Sequence, residues 1–202
     1  EMRARHFAYM AGLMPHYIAR LSWSREQIEA EQTRALRELI VHARDRSAWH
    51  RDRLGHLDVE RLTLRDLPGI PPMTKEDLMS NWDAIVTDPR CTLVSAEAHL
   101  STLTADAYYQ GDLHVIASGG SSGTRGVFVF DWHGWAVYWI SGMRGLLAAL
   151  QRTGKAPSGP LASVSAYVAT HATSALAQTF SDARRPTVRA PVTLPIAEIV
   201  DL

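Results

Sequence analysis

The sequence predicts an α/β protein: a helical N-terminal region, residues 1–90, followed over residues 91–202 by part of a mostly parallel sheet flanked by helices. Three observations carry this expectation. Residues 1–90 hold helix caps, each followed by apolar residues at helical spacing. Two short apolar runs, 113–117 and 126–131, enclose a glycine- and hydroxyl-dense segment. From about residue 92, strand-type and helix-type stretches alternate, an order that builds parallel sheets covered by helices.

In the first region, Ser24-Arg25-Glu26-Gln27 is a capping box, in which Gln27 reaches back to the cap. Ile28, Leu36, Leu39, Ile40 and Ala43 follow at helical spacing and predict one apolar face. Thr63-Leu64-Arg65-Asp66 starts a short helical turn, and Pro68, Pro71 and Pro72 predict an extended link after it. Thr74 caps the next helix with Asp77 at its third position, and Leu78 and Trp82 are expected to pack inward. Pro89 ends the region.

In the second region, 92–95 and 99–104 are weak strand candidates, and the two runs around the glycine-rich segment are stronger ones. Asp131 predicts an N-cap for a helix from Trp132 to about Arg152. Its Trp132, Trp135, Tyr138 and Trp139 are expected to form a packing face rather than a substrate box. Residues 154–160 read as a loop, 161–167 and 187–190 as strands, 173–180 as a short helix and 195–202 as the start of another.

Composition excludes several classes of function. Lys+Arg and Asp+Glu number 21 each, so no net field steers the chain to nucleic acid or to an anionic membrane. No apolar run reaches membrane-spanning length, and the N-terminus has no signal-peptide pattern. One cysteine, Cys91, forms no internal disulfide, which suits a reducing cytoplasm. With no partner base nearby in sequence, it reads as an inert thiol rather than a nucleophile. His42, His50 and His56 lack metal-ligand spacing, no residue is assigned to a metal, and His6 and His16 are expected at the surface. His114 and His133 read as polar residues flanking the loop strands.

The segment with the most chemistry is Ser118-Gly119-Gly120-Ser121-Ser122-Gly123-Thr124-Arg125-Gly126. Glycines permit positive φ and a close backbone approach to a ligand. Consecutive N–H groups and hydroxyls make such a turn a nest for phosphate, although an ordinary flexible hairpin turn has the same composition. A Walker loop needs lysine after the last glycine and a helix next, and neither is present. The dinucleotide fingerprint fails on glycine spacing. Gly119-Gly120-Ser121-Ser122-Gly123 matches the nucleophile-elbow pattern of serine hydrolases, with Ser121 as nucleophile. That motif requires a strand-to-helix turn, whereas Val127–Phe130 predicts a second strand.

Residues 117–126 resemble the phosphate-binding loop of adenylate-forming enzymes, Ser-Ser/Thr-Gly-Ser/Thr-Thr-Gly-x-Pro-Lys, through Gly123. Two further segments are similar to the phenylacetate–CoA ligase branch: Leu39–Arg44 with Ser47–Arg51, and Leu67–Leu78 around Pro71-Pro72-Met73-Thr74-Lys75. Arg125 and Gly126 depart from the pattern's proline and lysine. The resemblance implies an AMP-forming acid–thiol ligase, in which ATP and a carboxylic acid form an acyl-adenylate that coenzyme A then captures. It assigns Ser118, Gly119, Gly120, Ser121, Ser122, Gly123, Thr124 and Arg125 to the phosphates of ATP, and Mg²⁺ to neutralising their charge. It places His171 near the acyl carboxylate, at a strand-to-helix junction where α/β proteins set ligand contacts; a helix-capping or loop histidine reads equally well. It further implies that 202 residues are an incomplete N-terminal domain, without ribose-binding aspartate or late catalytic lysine. Such a fragment is expected to bind ATP weakly and form no acyl-adenylate. Two other readings stay open: a serine hydrolase, and a non-catalytic ligase-like module binding a partner or a second copy of itself as a homodimer.

Overall fold

A computed structural model describes residues 1–120, 123–154, 161–180 and 187–201. Ser121, Ser122, the expected loop at 155–160 and Leu202 lie outside the described residues, as do the side chains of Leu161 and Thr187. The described chain is mixed α/β, mostly helical, with two small sheets. It divides into two compact units, residues 1–21, 99–119 and 128–202, and residues 22–98 and 120–127. This differs from the expected division at residue 90, because the first helix packs with later elements.

The unit built on residues 22–98 is helical. Helix α2 (Arg25–Arg46) starts at the predicted box: Ser24 Oγ accepts from Gln27 N at 3.3 Å, and Gln27 Oε1 accepts from Ser24 N at 2.9 Å. Ile40 and Ala43 pack with Leu54 and Leu62, and Leu36 flanks them. Ile28 and Leu39, expected on that face, are exposed. Helix α3 (Ala48–Leu54) begins at Ser47, a buried residue with two tasks. Its Oγ accepts from His50 N at 3.2 Å and donates to Ala84 O at 2.7 Å. Ser47→Ala removes both bonds and is expected to cost about 2 kcal/mol, measured as a drop in unfolding free energy by urea titration.

Pro68 does not break the chain. It sits inside a 3-10 turn, Leu64–Gly69, because its fixed φ suits that geometry; the extended link is confined to residues 71–74. Helix α4 (Lys75–Ser80) carries the predicted Thr74–Asp77 box, and the Thr74 N–H, then its hydroxyl, hold the Asp77 carboxyl below the usual carboxylate range. Helix α5 (Trp82–Ile85) buries Trp82, whose Nε1 donates to Val127 O at 3.0 Å. The weak strands expected at 92–95 and 99–104 are instead one helix, α6 (Leu93–Thr102). Thr92 and Ser95 each accept the other's backbone N–H, at 3.2 Å, which caps a helix and no strand. Ala96 and Leu100, one turn apart, are buried.

The other unit holds α1 (Met2–Ala19) along α7 (Trp132–Thr153). Met10, Ile116, Trp135, Ala136, Ile140, Ala175 and Phe180 form its core. Asp131 caps α7 as predicted, accepting from Gly134 N at 2.6 Å, and Gly154 closes it at φ +64°. Strand β1 (His114–Ala117) pairs with β2 (Val127–Phe130); β3 (Leu161–Ser165) pairs in parallel with β4 (Thr187–Pro191), from Leu161 opposite Thr187 to Ser165 opposite Pro191. Helices α8 (Ala172–Thr179) and α9 (Ile196–Val200) complete the described elements. The single, mostly parallel sheet expected from the sequence is thus two separate pairs. The end of β1 bonds to the turn after β3 rather than to β3: Ala117 N donates to Thr170 O at 2.8 Å. Among the described residues, no helix is long and apolar enough to cross a membrane.

Candidate functional site

A cavity of about 500 Å³ opens in the α/β unit at the end of β1. Ile116, Ala117, Ser118 and Gly119 form one wall. Phe128 and Phe130 form another; they share a face of β2 because side chains alternate along a strand. Tyr138 comes from α7, and His171, Ala172 and Thr173 from the start of α8. The lining is largely apolar, with no carboxylate among the described residues, and its polar side chains are Ser118, Tyr138, His171 and Thr173. This is the composition of a small-molecule site whose few polar groups set orientation.

The residues between β3 and α8 place His171. Tyr167 adopts φ +43°, held by its hydroxyl donating to Ser163 O at 2.6 Å, and His171 N donates to Val168 O at 2.9 Å. His171 occupies the N-cap of α8 and makes no side-chain cap bond, so of the alternative expected for it the capping bond is not formed and the loop position is. A Cβ built on Gly119 would meet the imidazole at 3.9 Å, so the ring lies directly against the backbone of the loop's first glycine.

Of the predicted phosphate-binding residues, Ser118 and Gly119 line the cavity together with His171. Gly120, Gly123, Thr124 and Arg125 are not among its lining residues. Gly120 and Gly123 have φ +72° and +94°, the positive values that motivate glycine there. Gly123 N donates to Gly120 O at 2.9 Å, so that amide closes a turn. Thr124 and Arg125 are exposed, and Arg125 Cβ lies 3.7 Å from where a Gly120 Cβ would stand. The aromatic face of α7 divides its labour: Trp135 is core, as expected, whereas Tyr138 lines the cavity. Phe128 and Phe130 were legible only as apolar bulk, and period-two alternation along 127–130 was the one signal that could have paired them; Tyr138 belongs to the aromatic set expected to pack rather than to form a substrate box.

A second polar cluster lies inside the same unit, unannounced by any motif. His6, expected at the surface, is wholly buried. Its Nε2 is 2.8 Å from Trp132 O, which only accepts, so Nε2 carries the proton; Nδ1 then accepts the Tyr108 hydroxyl at 3.0 Å. Its ring stacks on Trp132 with centroids 3.9 Å apart. His114, expected as a strand-end polar residue, is buried as well and donates Nδ1–H to Asp106 Oδ1 at 3.1 Å. The other Asp106 oxygen meets Thr179 Oγ1 at 2.8 Å and Arg3 at 3.3 Å. Thr179 Oγ1 also takes Trp135 Nε1–H at 3.0 Å. Burial, and then the Asp106 charge, push the Tyr108 hydroxyl up to about 12. Cys91 is buried and away from both clusters in sequence, and no group of three metal-ligating side chains occurs among the described residues. No protein-family model matches the chain, and no curated protein matches it either.

Proposed function

We propose that this chain carries the phosphate loop and part of the acid-binding cleft of an AMP-forming acyl- or aryl-CoA ligase. One observation carries the reading: the loop's leading residues, Ser118 and Gly119, share a cavity with His171 and an aromatic wall. In the reaction, a carboxylate oxygen attacks the α-phosphorus of ATP and pyrophosphate leaves with the broken P–O bond. The thiol of coenzyme A then attacks the acyl carbon and AMP departs. Neither step needs a covalent bond to the protein, so its work is positioning and charge stabilisation. The Gly119 backbone and the Ser118 hydroxyl would border the phosphates, the His171 ring would orient the acid's carboxylate, and Phe128, Phe130 and Tyr138 would hold its apolar part. Mg²⁺ would enter as the Mg·ATP complex, the phosphates supplying its ligands.

The hydrolase reading loses its premise, because strand β2 and not a helix follows the loop. Titration with Mg·ATP, followed by amide NMR, tests the proposal. Shifts at residues 118–120 and at the His171 ring are expected, and Gly119→Val, which fills the space against that ring, should abolish them with the fold intact by circular dichroism. Amides at 118–120 that stay fixed at saturating Mg·ATP would leave the chain a non-catalytic module.

A further inference from the structure

The His6 side chain holds the elements framing the cleft through both of its polar atoms: Nε2 to the Trp132 carbonyl at the start of α7, and Nδ1 to Tyr108, in the segment before β1. Its ring also stands edge-on to Phe180, at the end of α8, with centroids 4.9 Å apart. Strand β1 and helices α7 and α8 each carry part of the cavity wall. We propose that His6 is a pH-sensitive clasp, fastening the N-terminal helix to the β1–α7–α8 frame when uncharged and releasing it on acidification. Regulation of a bound nucleotide by this release rests on the function proposed above; the clasp itself does not.

The geometry explains the direction. With Nε2–H committed to a carbonyl, a second proton must go on Nδ1, where the Tyr108 hydroxyl now donates. The Tyr108 oxygen would then have to accept from Nδ1–H, its own proton would lose its acceptor, and the imidazolium charge would be buried. Among the described residues, the titratable and charged groups facing His6 are few. Asp106 and Tyr108 come from the segment before β1, His114 from β1 with ring centroids 5.8 Å away, and Arg3 from α1 itself, paired to Asp106. On α7, His133 Nδ1 is bonded to Tyr9 at 2.8 Å; from α8, Gln178 and Thr179 bond to Asp106, and Phe180, just past its end, meets the His6 ring. Burial lowers the His6 pKa from 6.5 most strongly; the Trp132 bond and Asp106 oppose this, and His114 adds to it. The released ring therefore binds the extra proton, so the clasp is intact well above pH 6.5 and weakens as pH falls below it.

The test records the His6 imidazole by NMR, and hydrogen exchange of the α1 amides, from about pH 8 to about pH 5. His6 is expected to titrate below its ordinary value. Protection of α1, corrected for intrinsic exchange, should fall by up to about tenfold per pH unit in that window. His6→Gln, which cannot gain the charge, should show a flat profile. A His6 titrating at or above the ordinary value, or wild-type protection that ignores pH, overturns the clasp; so does a glutamine variant with the wild-type slope. If the variant fails to fold, the two wild-type readouts decide alone. Neither readout involves nucleotide, so the failure of the clasp and the failure of the ligase reading are separate results.

Discussion

Trp135→Ala is expected to lower the unfolding free energy by about 4 kcal/mol, a large part of the 5–15 kcal/mol typical of a domain. Trp135 has no exposed surface and sits in the core of the α/β unit. Its ring stacks on His114 with centroids 4.5 Å apart and an interplanar angle of 14°, and lies 5.3 Å from Phe130. Truncation removes those contacts and strands the Thr179 hydroxyl without its Nε1–H donor. The cavity left behind cannot collapse easily, because β1, α1 and α8 meet there. Trp135→Phe keeps most of the ring and should cost about half as much, split between lost volume and the missing hydrogen bond. Urea titrations of both variants check this, and a loss below about 1 kcal/mol for alanine would refute the packing argument.

Asp106→Ala should cost about 3 kcal/mol, nearly all of it from the buried side of the cluster. The carboxylate is 3 % exposed and accepts from the 1 % exposed His114 ring and the buried Thr179 hydroxyl. Removing it leaves the His114 Nδ1–H without an acceptor in a place water does not reach. Arg3, although paired to the same carboxylate, is 46 % exposed, so that ion pair is screened and worth little. Arg3→Ala should therefore stay within about 1 kcal/mol of wild type. Should Arg3→Ala prove the more damaging of the two, the cluster is held by its surface charge and not by its buried bonds.

Local chemistry was legible in the sequence wherever the deciding atoms are close along the chain. The Ser24–Gln27 and Thr74–Asp77 boxes and the Asp131 cap are satisfied within three residues, so spacing alone predicts them. The same holds for the glycines at positive φ in the loop and for β2 after it. The 92–104 stretch misled because its hydroxyls look strand-like in composition, while Thr92 and Ser95 use them to start a helix. Ser118, Gly119 and His171 were singled out from motif and position, and the cavity brings those three together. The phenylalanines of its wall carry no polar signature that separates a ligand wall from a core, and Tyr138, expected on a packing face rather than in a substrate box, lines the wall with them.

What the sequence determined by itself was the helix starts at Ser24, Thr74 and Asp131, the glycine turn and the two flanking strands, all decided by bonds of short range. Only the tertiary structure decided that His6 is buried, because its partners, Tyr108 and Trp132, stand 102 and 126 residues away. It alone decided that β1 ends against Thr170 and that the described strands form two pairs. A polar side chain is read as exposed unless a partner satisfies it, and partners brought in from distant segments leave no trace in local spacing.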